Sequence, residues 1–140
     1  MKAQQALSAV PATLSVRGVV DHGDQRGRSL GFPTANVAAI GPHIEDGVWA
    51  GTVQLRPITA GPVFTAAISV GRRPTYYSRV GERLIEAHLL DYSGDLYGQL
   101  ISITFYERLR AQHRYLGDEQ LIDQLWRDVL AVRAWAGAHR

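Results

Sequence analysis

The stretch GVWAGTVQLRPITAGPVFTAAISVG, residues 47–71, decides the fold class of this chain. Two segments within it, 47–55 and 63–71, are rich in β-branched and aromatic residues, which favour β-strands. The connection between them contains two prolines and a glycine, which favour a turn. The stretch therefore predicts two consecutive strands joined by a short turn.

Three other segments share this pattern. Each is bounded by Gly, Pro or Asp turn signals, and they cover residues 14–20 (LSVRGVV), 83–91 (RLIEAHLLD) and 100–109 (LISITFYERL). No segment with helical spacing separates these strands. The pattern predicts a mostly-β fold, an antiparallel barrel or sandwich, and of the two we expect a small β-barrel of the Greek-key type.

The last part of the chain changes period. Apolar residues recur there at helical spacing, at Leu121, Ile122, Leu125, Val129, Val132 and Ala136. Asp118 is expected as the N-cap, because its carboxylate can accept hydrogen bonds from the amides of the first turn. Trp126 and Trp135 are expected to widen the buried face. One C-terminal α-helix is therefore predicted to close the barrel.

Composition is that of an ordinary soluble domain, with 140 residues, 46% of them hydrophobic and 20% charged. The absence of cysteine excludes disulfides and thiolate metal sites. No apolar run approaches the ~20 residues that span a bilayer, and the N-terminus is too polar for a signal peptide. We expect a cytoplasmic protein without membrane contact, with a tail or linker stub at 1–13 and one domain at 14–140.

Arginine dominates the basic residues, since fourteen of the fifteen are arginine and the formal charge is +2. This balance suits an anionic ligand such as a nucleotide. A nucleic-acid site would need basic residues interleaved with surface aromatics. Only Tyr76, Tyr77 and Arg79 approach that pattern, so we expect no nucleic-acid partner.

A glycine-rich loop lies in GVVDHGDQRGRSLGFPTAN, residues 18–36. Gly23, Gly27 and Gly31 would let backbone amides approach an anion such as phosphate. The spacing matches neither G-x-x-x-x-G-K-[ST] nor G-x-G-x-x-G. On spacing alone, an ordinary connecting loop is an equally good interpretation.

The end of this loop carries two polar side chains two residues apart. Pro33 stiffens the chain there, and an extended backbone would place Thr34 and Asn36 on one side. Hydroxyl and amide oxygens are hard donors that suit Mg²⁺. The alternative is a turn in which both side chains bond the local backbone.

The segment GRSLGFPTAN, residues 27–36, resembles the signature of the riboflavin kinase (flavokinase) family. Four later segments resemble that family in the same order: GRRPT (71–75), IEAHLLD (85–91), DLYG (95–98) and RLR (108–110). Together they span residues 16–130. The resemblance is to the kinase module of the bacterial bifunctional members, and it implies transfer of phosphate from ATP to the riboflavin 5′-hydroxyl.

The resemblance also implies roles for individual residues. It assigns nucleotide binding to seven residues of the loop and turn: Gly23, Gly27, Arg28, Gly31, Pro33, Thr34 and Asn36. Thr34 and Asn36 would also hold Mg²⁺, and Arg110 would lie on the flavin side. Glu86 would be the general base. Strand alternation places Glu86 on the other face of the strand from the apolar side chains of Ile85 and Ala87. The alternative is that Glu86 is a solvated carboxylate on the surface.

Several residues depart from the family pattern or have no assigned role. Gln112 and Tyr115 replace an acidic residue and a phenylalanine, which would alter flavin affinity. His88 and His22 are expected to be structural and solvated, respectively.

Asp91 and Asp95 are expected to shape a turn. The H-x-G-H motif of the adenylyltransferase fused to bacterial members does not occur. We therefore expect FMN but not FAD as the product, with an adenylyltransferase domain as a partner if the chain is an excised module. The alternative function is a non-catalytic flavin- or nucleotide-binding barrel.

Overall fold

A computed structural model describes residues 13–22, 30–41, 43–72 and 83–139. One short 3-10 turn, at Pro57–Thr59, lies within the turn predicted between the segments 47–55 and 63–71. The strands and the helix are β1 Leu14–Val19, β2 Ala35–Ala38, β3 Gly47–Leu55, β4 Val63–Arg72, β5 Arg83–Leu89, β6 Leu100–Arg110 and α1 Asp118–Ala138. Five of the six strands match predicted segments, whereas β2 was not predicted.

The six strands form one antiparallel sheet in the order β1-β6-β3-β4-β5-β2. The sheet curves until its outer strands approach each other, and an isolated bridge between Asp21 and Asn36 joins them. The result is a nearly closed barrel in which β2 and β3, like β5 and β6, are consecutive in the chain but not adjacent. The predicted mostly-β barrel with a C-terminal helix is confirmed.

Two apolar clusters hold the barrel and the helix together. Alternate side chains of every strand fill the barrel, among them Ile68, Ile85 and Ile103, which are fully buried. A second cluster lies between the outside of the sheet and α1, at Phe32, Ala50, Leu90, Val129 and Val132. The helix therefore covers parts of the outer faces of β3 and β4.

The ends and faces of α1 differ in part from the predictions. Gly117 is the N-cap, with an extended backbone and no side-chain cap, so the prediction of Asp118 was wrong by one residue. Asp118 instead lies in the first turn, where a carboxylate is stabilised by the positive end of the helix dipole. Trp126, predicted to be buried, is 57% exposed, and its ring meets that of Phe32 in a T-shaped contact with centroids 5.1 Å apart. Trp135 is partly buried.

Within the described ranges, no helix is both long enough and apolar enough to cross a bilayer.

Gly18 of β1 allows the outer strands to approach each other. A Cβ atom at this position would lie 2.3 Å from Cγ1 of Val37 in β2, and Val37 is buried. We expect Gly18→Ala to lower the free energy of unfolding by about 1–3 kcal/mol, because the added methyl overpacks the closure of the barrel. Urea unfolding measures this change.

Gly137→Ala in α1 is the matched control, because a Cβ atom there would meet nothing within 4 Å. It is expected to raise stability by roughly 0.5–1 kcal/mol. Equal urea midpoints for Gly18→Ala and the wild type would contradict close packing between β1 and β2.

Candidate functional site

Strand register places three of the predicted site residues in one row across the sheet. Asn36 lies opposite Glu86, and Glu86 lies opposite Ser69. Ser69 lies opposite Val48, which in turn lies opposite Arg110. Residues directly opposite each other in an antiparallel ladder project from the same face. The row therefore brings Asn36, Glu86 and Arg110 to one face of five adjacent strands.

All residues of this row except Asn36 line a cavity of about 210 Å³ between the sheet and α1. Its apolar walls come from both sides and include Phe32, Ala67, Leu121, Leu125 and Val129. Glu86 is partly buried and lines this cavity, as expected for a side chain that projects away from the barrel core. Mostly apolar walls with a few polar groups are typical of a small-molecule site.

Arg110 is fixed at the edge of this cavity by Asp128 of α1. Its Nε donates to Oδ1 of Asp128 at 2.8 Å, and Nη2 donates to Oδ2 at 2.7 Å. Nη1 donates to the carbonyl of Ala111 at 3.0 Å, and Gln124 donates a further bond to Asp128 at 2.9 Å. The hydrogen bonds with Asp128 raise the pKa of Arg110, while burial acts in the opposite direction.

Asp128 is buried and lines the cavity, but the sequence reasoning did not single it out. An acidic residue in an amphipathic helix is ordinarily a surface charge. The signal available was helical spacing, because Asp128 lies three residues after Leu125 and four before Val132, within the apolar stripe of α1.

Thr34 and Asn36 bond each other rather than the local backbone. The hydroxyl of Thr34 donates to Oδ1 of Asn36 at 3.1 Å, and Nδ2 of Asn36 donates to the carbonyl of His22 at 3.0 Å. Asn36 is 2% exposed. The two side chains therefore lie together as predicted, and the amide is oriented by a carbonyl fourteen residues away.

A second, smaller cleft of about 70 Å³ lies beside Thr34 and Asn36. It shares Thr34 with the 210 Å³ cavity between the sheet and α1, which is called the main cavity below. Its walls include Asp21, His22, Asp95 and Tyr97. His22 is exposed, as expected, and its ring also stacks on that of Tyr97 with centroids 3.8 Å apart. Asp95 accepts a hydrogen bond from the Tyr97 amide at 2.9 Å, as expected for a turn residue.

The donor set near Thr34 fits a magnesium ion that takes most of its ligands from phosphate and water. Oγ1 of Thr34 and Oδ1 of Asn36 are neutral, hard oxygens directed at each other. The part of the chain that the structure describes contains no group of three or more His, Cys, Asp or Glu side chains that could hold a metal.

The remaining predicted nucleotide-binding residues divide between described and undescribed parts of the chain. Gly23, Gly27 and Arg28 lie outside the described residues, as does the tail before residue 13. Gly31 has a φ of 93°, which favours glycine. The carbonyl of Pro33 lies 2.8 Å from Nδ1 of His88, so His88 connects the turn to β5.

Gln112 and Tyr115 both line the main cavity. Nε2 of Gln112 donates to the Ser69 hydroxyl at 2.8 Å and to the Val70 carbonyl at 2.9 Å, which anchors the segment after β6 to β4. The Tyr115 hydroxyl is buried and makes no hydrogen bond of good geometry among the described residues, although it lies close enough to Arg110 to add to the raised pKa of that guanidinium. A buried donor without a partner is uncommon and suits a site that a ligand completes.

Asp91 connects the turn after β5 to α1. It adopts a left-handed backbone with a φ of 60°, and both of its carboxylate oxygens accept bonds from Arg133, at 3.0 and 2.9 Å. These hydrogen bonds lower the pKa of the Asp91 carboxyl. Asp91 thus shapes a turn, as predicted, and also tethers the helix.

Comparison with known sequences gives a consistent set of relatives. The family model described as Flavokinase, riboflavin kinase, matches residues 10–136. The bifunctional riboflavin kinase/FMN adenylyltransferase of Bacillus subtilis is 35% identical over 116 residues, which cover 81% of this chain and 35% of the relative. That of Escherichia coli K12 is 36% identical over 126 residues, covering 88% and 38%. The chain therefore spans less than half the length of these relatives.

Comparison with solved structures finds the same architecture. A Streptococcus pneumoniae protein described as a macrolide-efflux protein matches with a TM-score of 0.77 at 31% identity, over 96% of this chain and 42% of that one. Riboflavin kinase from Trypanosoma brucei matches with a TM-score of 0.59 at 24% identity, over 88% of this chain and 79% of that one. The second likeness concerns the fold alone.

Proposed function

Because this chain belongs to the riboflavin kinase family, we propose that it transfers the γ-phosphoryl group of ATP to the 5′-hydroxyl of riboflavin, giving FMN and ADP. One observation carries this proposal beyond the family assignment. Thr34 lines both the main cavity and the smaller cleft, and Glu86 lines the main cavity. An acceptor in the cavity and a nucleotide in the cleft would therefore meet beside Thr34.

The main cavity is the proposed site of the flavin ring. Its walls are largely apolar, which suits a planar aromatic ligand. Arg110 is held at its edge by Asp128, where the guanidinium can donate to ring oxygens and nitrogens. With the ring in this cavity, the ribityl chain would extend toward Glu86.

Glu86 is the proposed general base. Phosphoryl transfer depends mainly on in-line placement and on neutralised charge. A carboxylate within hydrogen-bond reach of the 5′-hydroxyl would orient that hydroxyl and accept its proton as the oxygen attacks phosphorus. Such a base contributes about 10²–10⁴ in rate.

Thr34 and Asn36 are the proposed phosphate-side residues. Their oxygens would hold Mg²⁺ together with the phosphates of ATP, and the metal supplies charge neutralisation when bound. The hydrogen bond from Asn36 to His22 keeps the amide oxygen turned toward Thr34. The glycine-rich segment with Gly23, Gly27, Arg28 and Gly31 would cover the phosphates.

Incubation of the chain with riboflavin, ATP and MgCl₂ tests the proposal. We expect FMN, identified by chromatography, to form at a rate proportional to protein, to stop when EDTA removes the metal, and not to be followed by FAD. No FMN under any metal condition would reject the kinase proposal. Flavin binding without turnover would instead support a non-catalytic flavin-binding barrel.

A further inference from the structure

Two N–H groups of Arg110 are used neither by Asp128 nor by the Ala111 carbonyl. A guanidinium carries five N–H donors, and three of them are used by the two oxygens of Asp128 and by the Ala111 carbonyl. The other two, one on each terminal nitrogen, belong to a side chain that lines the main cavity. The buried hydroxyl of Tyr115 lines the same cavity close to the Arg110 guanidinium.

The two-point contact between Arg110 and Asp128 fixes the direction of the two remaining N–H groups of Arg110. Both Nε and Nη2 are bound side-on to one carboxylate, which is the two-point arrangement that holds a guanidinium plane in place. Asp128 is itself held, because its side chain is 7% exposed and Gln124 donates to Oδ1. Neither partner can rotate without breaking several hydrogen bonds.

The ion pair of Arg110 with Asp128 also lowers the net charge at this edge of the main cavity. Because Asp128 directly neutralises Arg110, the edge of the cavity presents hydrogen-bond donors with no net charge. Such an edge suits an uncharged ring that carries carbonyl oxygens, because no buried charge is left uncompensated when that ring binds.

We propose that Asp128 is a positioning residue for riboflavin: it acts through Arg110, orienting the two remaining N–H groups and cancelling the charge so that the cavity accepts the uncharged flavin ring. This inference rests on the proposed kinase function and deepens it, because it assigns the acceptor side of the site to a residue of the helix.

A purely structural role is the competing interpretation, because the same pair ties α1 to β6. The chain supplies a matched control in Asp91 and Arg133, which also tie α1 to the sheet through two hydrogen bonds. Those side chains are 73% and 49% exposed and lie outside the main cavity. Loss of each tether should affect the helix, but only loss of Asp128 should affect riboflavin.

Asp128→Asn is expected to raise the KM for riboflavin about tenfold, which is the effect of one charge-assisted contact, with kcat and the KM for ATP within about twofold. Asp91→Asn is expected to leave all three constants within about twofold of the wild type, since exposed ion pairs contribute little. Equal effects of Asp128→Asn on riboflavin and ATP, or no effect on either, would overturn the proposal.

Double-mutant analysis tests whether Asp128 acts through Arg110. In the background of Arg110→Met, addition of Asp128→Asn should cause no further rise in the KM for riboflavin, because the residue that it positions is absent. Additive effects of the two changes would overturn the proposal.

Gln124→Ala is a milder variant for the case that Asp128→Asn does not fold. It removes one hydrogen bond to Asp128 from a residue outside the main cavity. The KM for riboflavin is expected to rise about two- to threefold. An unchanged KM for riboflavin in a folded Gln124→Ala variant would count against the proposal.

Quenching of riboflavin fluorescence on binding gives a readout that is independent of turnover. If the wild type binds riboflavin but makes no FMN, the kinase proposal fails. Asp128→Asn must still weaken that binding about tenfold if the positioning role is right.

Discussion

Glu86→Gln is expected to lower kcat for FMN formation by about 10²–10⁴. The KM values for riboflavin and MgATP should change by less than about threefold, because glutamine has nearly the same shape and preserves the row across the sheet. The amide cannot accept a proton from the attacking hydroxyl, so the loss should fall on the chemical step. Single-turnover measurement of FMN formation separates that step from binding and product release.

Glu107→Gln provides the matched control for this experiment. Glu107 lies on β6, is exposed, and does not line the main cavity. The same change of charge at this position should leave kcat within about twofold, because a surface substitution of this kind has little effect. If Glu86→Gln turned over as fast as Glu107→Gln, the chain could still be a kinase, but Glu86 would not be its base.

The sequence pattern predicts those strands whose residues alternate or are rich in β-branched side chains. The segment 83–91 alternates clearly, and its inner residues Ile85 and Ala87 are fully buried as predicted. Strand β2, Ala35–Ala38, could not be found in this way because it has only four residues, and three of them are buried. Its pairing with β5 joins residues about fifty apart in the chain, so local propensity does not reveal it.

The alignment of the site row depends on two irregularities that the sequence does not reveal. In the regular part of the β3–β6 ladder, Gly51 pairs with Phe105, and the same register would place Arg108 opposite Val48. Two register shifts, between Val48 and Trp49 and between Ala50 and Gly51, place Arg110 there instead. β-Bulges re-aim side chains in this way. The family resemblance gave the role of Arg110, and the bulges explain how the residue reaches the row.

Thr34→Val is expected to lower kcat/KM for MgATP by about 10²–10³, the size of the loss when one group that stabilises developing charge is removed. Valine keeps the β-branched shape and nearly the volume of threonine. It removes both the oxygen proposed as a metal ligand and the hydrogen bond to Oδ1 of Asn36. Assays at saturating riboflavin, with ATP and Mg²⁺ varied separately, measure the change.

Thr34→Ser is the control that distinguishes the hydroxyl from the methyl group. It retains the oxygen, so its kcat/KM for MgATP should stay within about tenfold of the wild type, and the dependence on Mg²⁺ should be preserved. The affinity for riboflavin without nucleotide should be nearly unchanged in Thr34→Val, because the proposed contacts of the flavin ring are with Arg110 and the apolar walls of the main cavity. If Thr34→Val instead weakened riboflavin binding and left the dependence on MgATP intact, Thr34 would belong to the acceptor side, and the boundary between the two substrates would have to move toward the smaller cleft.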